Sequence, residues 1–134
     1  MPSIDAIEVI GWRRAARLRK AGVRTTEALL RRGARKSGRK ELAKATGLTE
    51  SQILQWVNRA DLMRVKGIGS EYGDLLETAG VDTVKELRRR NAGALTRRMA
   101  ELNDSKHLVR RLPTENMVAG WVDHAGRLEP VVRY

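Results

Sequence analysis

The clearest chemistry lies in Val65-Lys66-Gly67-Ile68-Gly69, a turn with two glycines set between two helical patterns. Glycine permits positive φ and lets another chain approach with no Cβ in the way. The amides opening the next helix point outward unpaired. With the positive end of the helix dipole they form an anion site, and phosphate is the commonest anion to fill one. Cations supply the complementary half. Arg13, Arg14, Arg17, Arg19, Lys20 and Arg24 follow one another with no acid between them, and after Glu27 the stretch Arg31, Arg32, Arg35, Lys36, Arg39, Lys40 and Lys44 holds Glu41 alone. A patch of this kind holds nucleic acid without reading its sequence, by displacing counterions from the phosphates. Gly33 and Gly38 flank Arg35, Lys36 and Ser37, which predicts an exposed loop where these cations meet phosphates.

The elements that must position these groups come from an internal repeat. Residues 10–34 and 68–92 match at 11 positions, including Ile10-Gly11 with Ile68-Gly69, Ala21-Gly22-Val23 with Ala79-Gly80-Val81, and Arg31-Arg32 with Arg89-Arg90. Farther on, Trp56-Val57 matches Trp121-Val122. Apolar spacing within each copy is helical and the breaks are glycines. Gly80 ends a helix carrying Leu75, Leu76 and Ala79, while Thr25, Thr83 and Thr114 stand where N-caps belong and Thr49 with Gln52 has the form of a capping box. No stretch alternates with the period of a strand. The expected fold is all-α, with two repeats of about four short helices each, 1–62 and 63–134, packed into one compact helical domain.

Leu62-X-X-Val65-X-Gly67-Ile68-Gly69 followed by Leu75-Leu76-X-X-Ala79-Gly80 resembles the helix-hairpin-helix motif of DNA repair and recombination proteins. The tandem arrangement is similar to a bacterial family of uncharacterised helix-hairpin-helix proteins, over nearly the whole chain. The resemblance implies that the amides of Gly67, Gly69 and Ser70 bind the DNA backbone without sequence readout. Some members of the motif class hold a monovalent cation on hairpin carbonyls, which here would be those of Met63, Val65 and Ile68. Such units also serve as packing or protein-contact modules. The first copy departs from the pattern, because Val9 stands where the second has Gly67 and disfavours positive φ, so its turn should differ. Trp12, just beyond, either fills the core, the preferred reading for a single tryptophan, or stands exposed as a contact residue.

The net charge of +11 is unevenly spread. Residues 1–60 carry 14 basic and 5 acidic side chains, whereas residues 61–134 carry 13 and 11. Where the first copy has Arg13, Arg19 and Arg24, the second has Glu71, Glu77 and Asp82, with Asp74 between them. An acidic helix beside a phosphate site is unfavourable. The leading expectation is therefore a sequence-nonspecific DNA-binding protein whose contacts centre on Arg13, Arg14, Arg17, Arg24, Arg31, Arg32, Arg35, Lys36, Arg39 and Lys40, helped by the hairpin amides of Gly67, Gly69 and Ser70. The alternative is an adaptor or self-associating module in which Glu71, Asp74, Glu77 and Asp82 meet a protein partner or the basic face of another copy. A third pattern, helix-turn-helix over Lys40 to Arg59, would offer Ser51, Gln52, Gln55, Asn58 and Arg59 to a major groove.

Several classes are disfavoured. There is no cysteine, hence no disulfide, thiolate nucleophile or cysteine-type zinc site. His107 and His124 lack the spacing of a helical zinc pair, and the serines lack the setting of a nucleophile elbow. A non-enzyme without cofactor is expected. No apolar run reaches the roughly 18 residues that a membrane span needs. The expected location is the cytoplasm, with nucleoid association where DNA is the ligand.

Overall fold

Two short 3-10 turns, Ile4–Ala6 and Glu8–Ile10, lead into α1 (Gly11–Lys20), and three further helices follow: α2 (Thr26–Gly33), α3 (Lys36–Thr46) and α4 (Glu50–Leu62). The chain continues through α5 (Ser70–Thr78), α6 (Val84–Leu87), α7 (Ala92–Lys106) and α8 (Glu115–Arg127). This computed structural model describes residues 2–134, which are all-helical apart from turns and one isolated bridge between Ser3 and Thr25. The described residues divide into two compact units, one comprising the chain up to Asp61 with Val131–Tyr134, the other Leu62–Pro130.

Each unit is built on aliphatic side chains and one tryptophan. In the first, Ile4, Ile7, Ile10, Leu18, Leu29, Leu42, Ile53 and Val57 are fully buried around Trp56. In the second, Leu62, Leu75, Leu76, Val81, Leu87, Leu95 and Met99 are buried with Val118 and Trp121. Burying one such aliphatic side chain contributes about 1.5–3 kcal/mol.

Local chemistry sets the helix ends as the sequence predicts. Thr25 Oγ1 accepts from the Ala28 amide at 3.0 Å, and Thr114 Oγ1 from Met117 at 3.1 Å. Thr49 and Gln52 form a reciprocal box at 3.0 and 3.1 Å, and Thr83 pairs with Glu86 in the same way. Positions separated by 58 residues share their geometry at the end of α1 and of α5. Gly22 and Gly80 take φ of +90° and +89°. The next amides, of Val23 and Val81, donate back to Leu18 and Leu76 at 2.8 and 2.9 Å.

The segment between Gly33 and Gly38 is not an exposed loop. Gly33 ends α2 and Gly38 lies in the first turn of α3. A Cβ on Gly33 would strike the Val57 side chain, and one on Gly38 would strike the Arg32 carbonyl. Both are glycines because α2 and α3 turn tightly against their neighbours, a close-approach requirement rather than one of flexibility.

Candidate nucleic-acid interface

The solvent face of α1 carries one sign of charge. Ala15 and Leu18 point into the core, which leaves Arg13, Arg17 and Lys20, spaced i, i+4 and i+7, exposed in a single stripe, and Arg24, past the helix end, is exposed as well. Like charges at these spacings repel by a few tenths of a kcal/mol per pair. Arg13 also sits in the first turn, where no acid offsets the positive end of the helix dipole. Arg13, Arg17, Lys20 and Arg24 have no carboxylate partner among the described residues, whereas Arg19 is paired with Asp5 at 2.9 Å. Arg17 and Lys20 sit in the last turn, where the helix dipole favours cations, so the unfavourable part of the stripe is the mutual repulsion and the placement of Arg13 at the N-terminus. An anionic ligand would reverse that balance.

Three arginines of the sequence-derived set are engaged inside the protein instead. Arg39 is 4% exposed, and its guanidinium donates to the carbonyls of Gly33, Ala34 and Arg133 at 2.9, 3.1 and 2.8 Å. It stitches the C-terminal segment onto the α2–α3 corner and cannot also meet a phosphate. Arg14 turns back to donate to Ile10 and Val9 at 2.7 and 3.2 Å, and its guanidinium carbon lies 5.5 Å from the centre of the Trp56 ring. Arg32 remains exposed but donates to the Ala21 carbonyl at 2.6 Å. Arg31, Arg35, Lys36 and Lys40 are exposed, with Lys36 and Lys40 on α3 rather than on a loop.

Trp12 is 73% exposed, contrary to the expectation of a core residue, while Trp56 and Trp121 are 1% and 4% exposed. Its backbone follows Gly11, whose φ of +77° swings the chain so that residue 12 faces away from the core. The Arg13 guanidinium lies 5.1 Å from the Trp12 ring centre. Trp12, Arg13, Arg14 and Arg17 line an open concavity of about 510 Å³ together with Ile10, Leu48 and Gln52. Arg17 also borders a second concavity of about 470 Å³ with Lys20, Ala45 and Thr46. The mutual placement of Trp12 and these cations is a feature that charge counting along the sequence missed.

In the second unit the turn before α5 has the shape its glycines suggest. Gly67 adopts φ +96°, and a Cβ there would stand 3.1 Å from Trp121 Nε1. Gly69 caps α5 in an extended conformation with open space where a side chain would be. Both glycines are exposed, and their amides have no acceptor among the described residues. The Ser70 side chain is buried. The Val65 carbonyl already accepts the Ile68 amide at 3.1 Å, while Met63 and Ile68 bracket the same turn. His124 on α8 accepts the Lys66 amide on Nδ1 at 3.1 Å, a contact that nothing in the sequence announced. Of the acids, Glu71 and Asp82 are exposed and Asp74 and Glu77 half-buried, and Asp74, Glu77 and Asp82 each have an interaction partner.

The first turn differs as Val9 implies. Val9 lies in a 3-10 turn without positive φ, and the positive φ falls instead on Gly11. The helix-turn-helix pattern over 40–59 loses one of its reading residues, because Arg59 is 2% exposed inside the first unit.

Among the described residues no three His, Asp or Glu side chains gather as a metal site, and no helix is long and apolar enough to cross a membrane. Neither a curated protein nor a solved structure is detectably similar to the chain. One family model does match, described as a domain of unknown function, DUF4332, over residues 8–128. With nearly its whole length so matched, the chain belongs to the DUF4332 family.

Proposed function

We propose that the protein binds DNA through its phosphate backbone, without sequence readout, and that it is a binding module rather than an enzyme. The observation that carries this reading is the α1 stripe of Arg13, Arg17 and Lys20, with Arg24 exposed beyond it: cations with no carboxylate partner among the described residues. Fixed on a helix, these groups present positive charge at intervals that a polyanion can follow. The second unit supports the reading in a different way. The exposed Gly67 and Gly69 amides ahead of α5 suit a phosphate oxygen, as in the helix-hairpin-helix motif that the Val65–Gly69 segment resembles. On this reading the chain is a tandem of two such modules, the first working through side-chain cations and the second through backbone amides.

The test is the salt dependence of binding to a duplex of random sequence. Four phosphate contacts from Arg13, Arg17, Lys20 and Arg24 give a slope of log K against log salt of about −3 to −4. Replacing Arg13 and Arg17 by Ala lowers that slope by about 2, whereas Lys85→Ala, on the acid-bearing second unit, leaves it unchanged. Absence of binding at low salt, or a slope indifferent to the α1 substitutions, overturns the reading.

A further inference from the structure

Trp12 offers a ligand more than its charge-bearing neighbours do. An indole ring 73% exposed, with the Arg13 guanidinium 5.1 Å from its centre and lining with Arg17 a concavity of about 510 Å³, combines a flat apolar face with nearby cations. That volume falls in the range of pockets that hold small organic groups. Leu48, largely buried, is apolar, and Gln52 adds both a donor and an acceptor to the lining. A ligand matching all of these has a planar π-face, polar edges and a negative charge beside it, which describes one nucleotide of a nucleic acid.

Duplex DNA cannot use the ring in this way. Its base faces are stacked on one another, so only the backbone is available to the α1 stripe. An unpaired base has a free face, and stacking on an aromatic side chain is the usual way for proteins to hold one without regard to its identity. We infer that Trp12 is a stacking platform for a single unpaired base, with Arg13 and Arg17 on the adjoining phosphates, and that the protein prefers single-stranded or gapped DNA to intact duplex. This rests on the DNA-binding reading above and adds to it the structure of the preferred substrate.

An exposed tryptophan can also anchor a protein partner. Charge decides between the two: α1 has no acid, and Arg13, Arg14 and Arg17 line the same concavity as the ring. Arg14, the other nearby cation, is held by Ile10 and Val9, which leaves Arg13 and Arg17 as the groups facing a ligand.

The experiment compares the full chain with its Trp12→Ala variant on oligo(dT) and on a duplex of equal length, by fluorescence anisotropy of labelled DNA. Base stacking on one aromatic residue is worth about a 5- to 150-fold change in affinity. The variant should lose that factor on oligo(dT), keep the wild-type duplex affinity and keep the salt slope on both. Trp12→Phe should restore part of the loss. Emission from wild-type Trp12 should be quenched by oligo(dT) and shielded from acrylamide, a signal absent in the variant because Trp56 and Trp121 are buried. Equal urea midpoints for the two proteins establish that the substitution leaves the fold intact. Wild-type duplex binding with no effect of Trp12→Ala on oligo(dT) overturns this inference alone, as does an equal loss on both DNAs. A light-scattering mass that falls on substitution marks Trp12 as a contact between copies and overturns it also. Failure of the wild type to bind either DNA overturns the DNA-binding reading itself.

Discussion

The Arg32 guanidinium donates to the Ala21 carbonyl at 2.6 Å, and Arg90 reaches Ala79 in the same manner at 3.3 Å. Both arginines lie 11 residues beyond their acceptors: Arg32, in the last turn of α2, and Arg90, just past α6, reach back to the residues that end α1 and α5. The identity of Arg31-Arg32 and Arg89-Arg90 thus has a structural cause at its second position, where a carbonyl orphaned at a helix C-terminus acquires a charged donor. Arg32→Ala should lower the urea-unfolding free energy by about 1 kcal/mol, a surface-discounted value for a charge-assisted hydrogen bond. Its effect on the salt slope of DNA binding should be smaller than that of Arg13→Ala.

Arg39 makes a sharper case, since its charge counts toward the basic first half while its guanidinium is consumed internally. Arg39→Ala removes three donors from the Gly33, Ala34 and Arg133 carbonyls and opens space behind them. A loss of about 3 kcal/mol is expected, with a lowered melting temperature. At a temperature where the variant remains folded, the slope of affinity against salt should match wild type. A reduced slope would mean that Arg39 leaves its carbonyls to meet phosphate.

The two glycines before α5 separate fold from binding. Gly67→Ala meets both a positive φ and the Trp121 indole, so it should destabilise the protein by about 1 kcal/mol or more whatever the ligand. Gly69→Ala meets neither, and unfolding should be unchanged. If a phosphate approaches the Gly69 amide, the added methyl group weakens DNA binding without touching stability. Equal affinity for Gly69→Ala and wild type would remove that turn from the interface.

His124 holds the Lys66 amide from α8, 58 residues away in sequence. His124→Ala should speed hydrogen exchange at the Lys66 amide while leaving protection in α7 as it was. Because Lys66 is exposed and water can replace the lost acceptor, the global cost should stay within about 0.5–1.5 kcal/mol. Exchange at Lys66 that does not change would show that the contact contributes nothing to the turn.

What could be read from the residues in order is what neighbours in sequence decide. Caps at Thr25, Thr49, Thr83 and Thr114 act within one turn, as do the positive-φ stops at Gly22 and Gly80, so their side chains and dihedrals follow from local spacing. The helical class follows too, from apolar residues recurring at the helical period. The uneven charge was also visible, because it needs only counting.

Which arginines remain available to a ligand was not legible, and neither was the fate of three tryptophans of one type. Arg39 looks like its neighbours until the chain returns 94 residues later and places the Arg133 carbonyl beside it. Gly33 and Gly38 read as the flanks of an exposed loop until Val57 and the Arg32 carbonyl are seen where their side chains would be. Trp56 and Trp121 face their units' cores, while Trp12, turned outward after Gly11, does not. Sequence determines the periodicity, the caps and the total charge because these depend on interactions within a turn or on composition alone. Burial and hydrogen-bond partnership depend on which distant segments meet, and only tertiary packing settles which cations are spent inside the protein and which are left facing solvent.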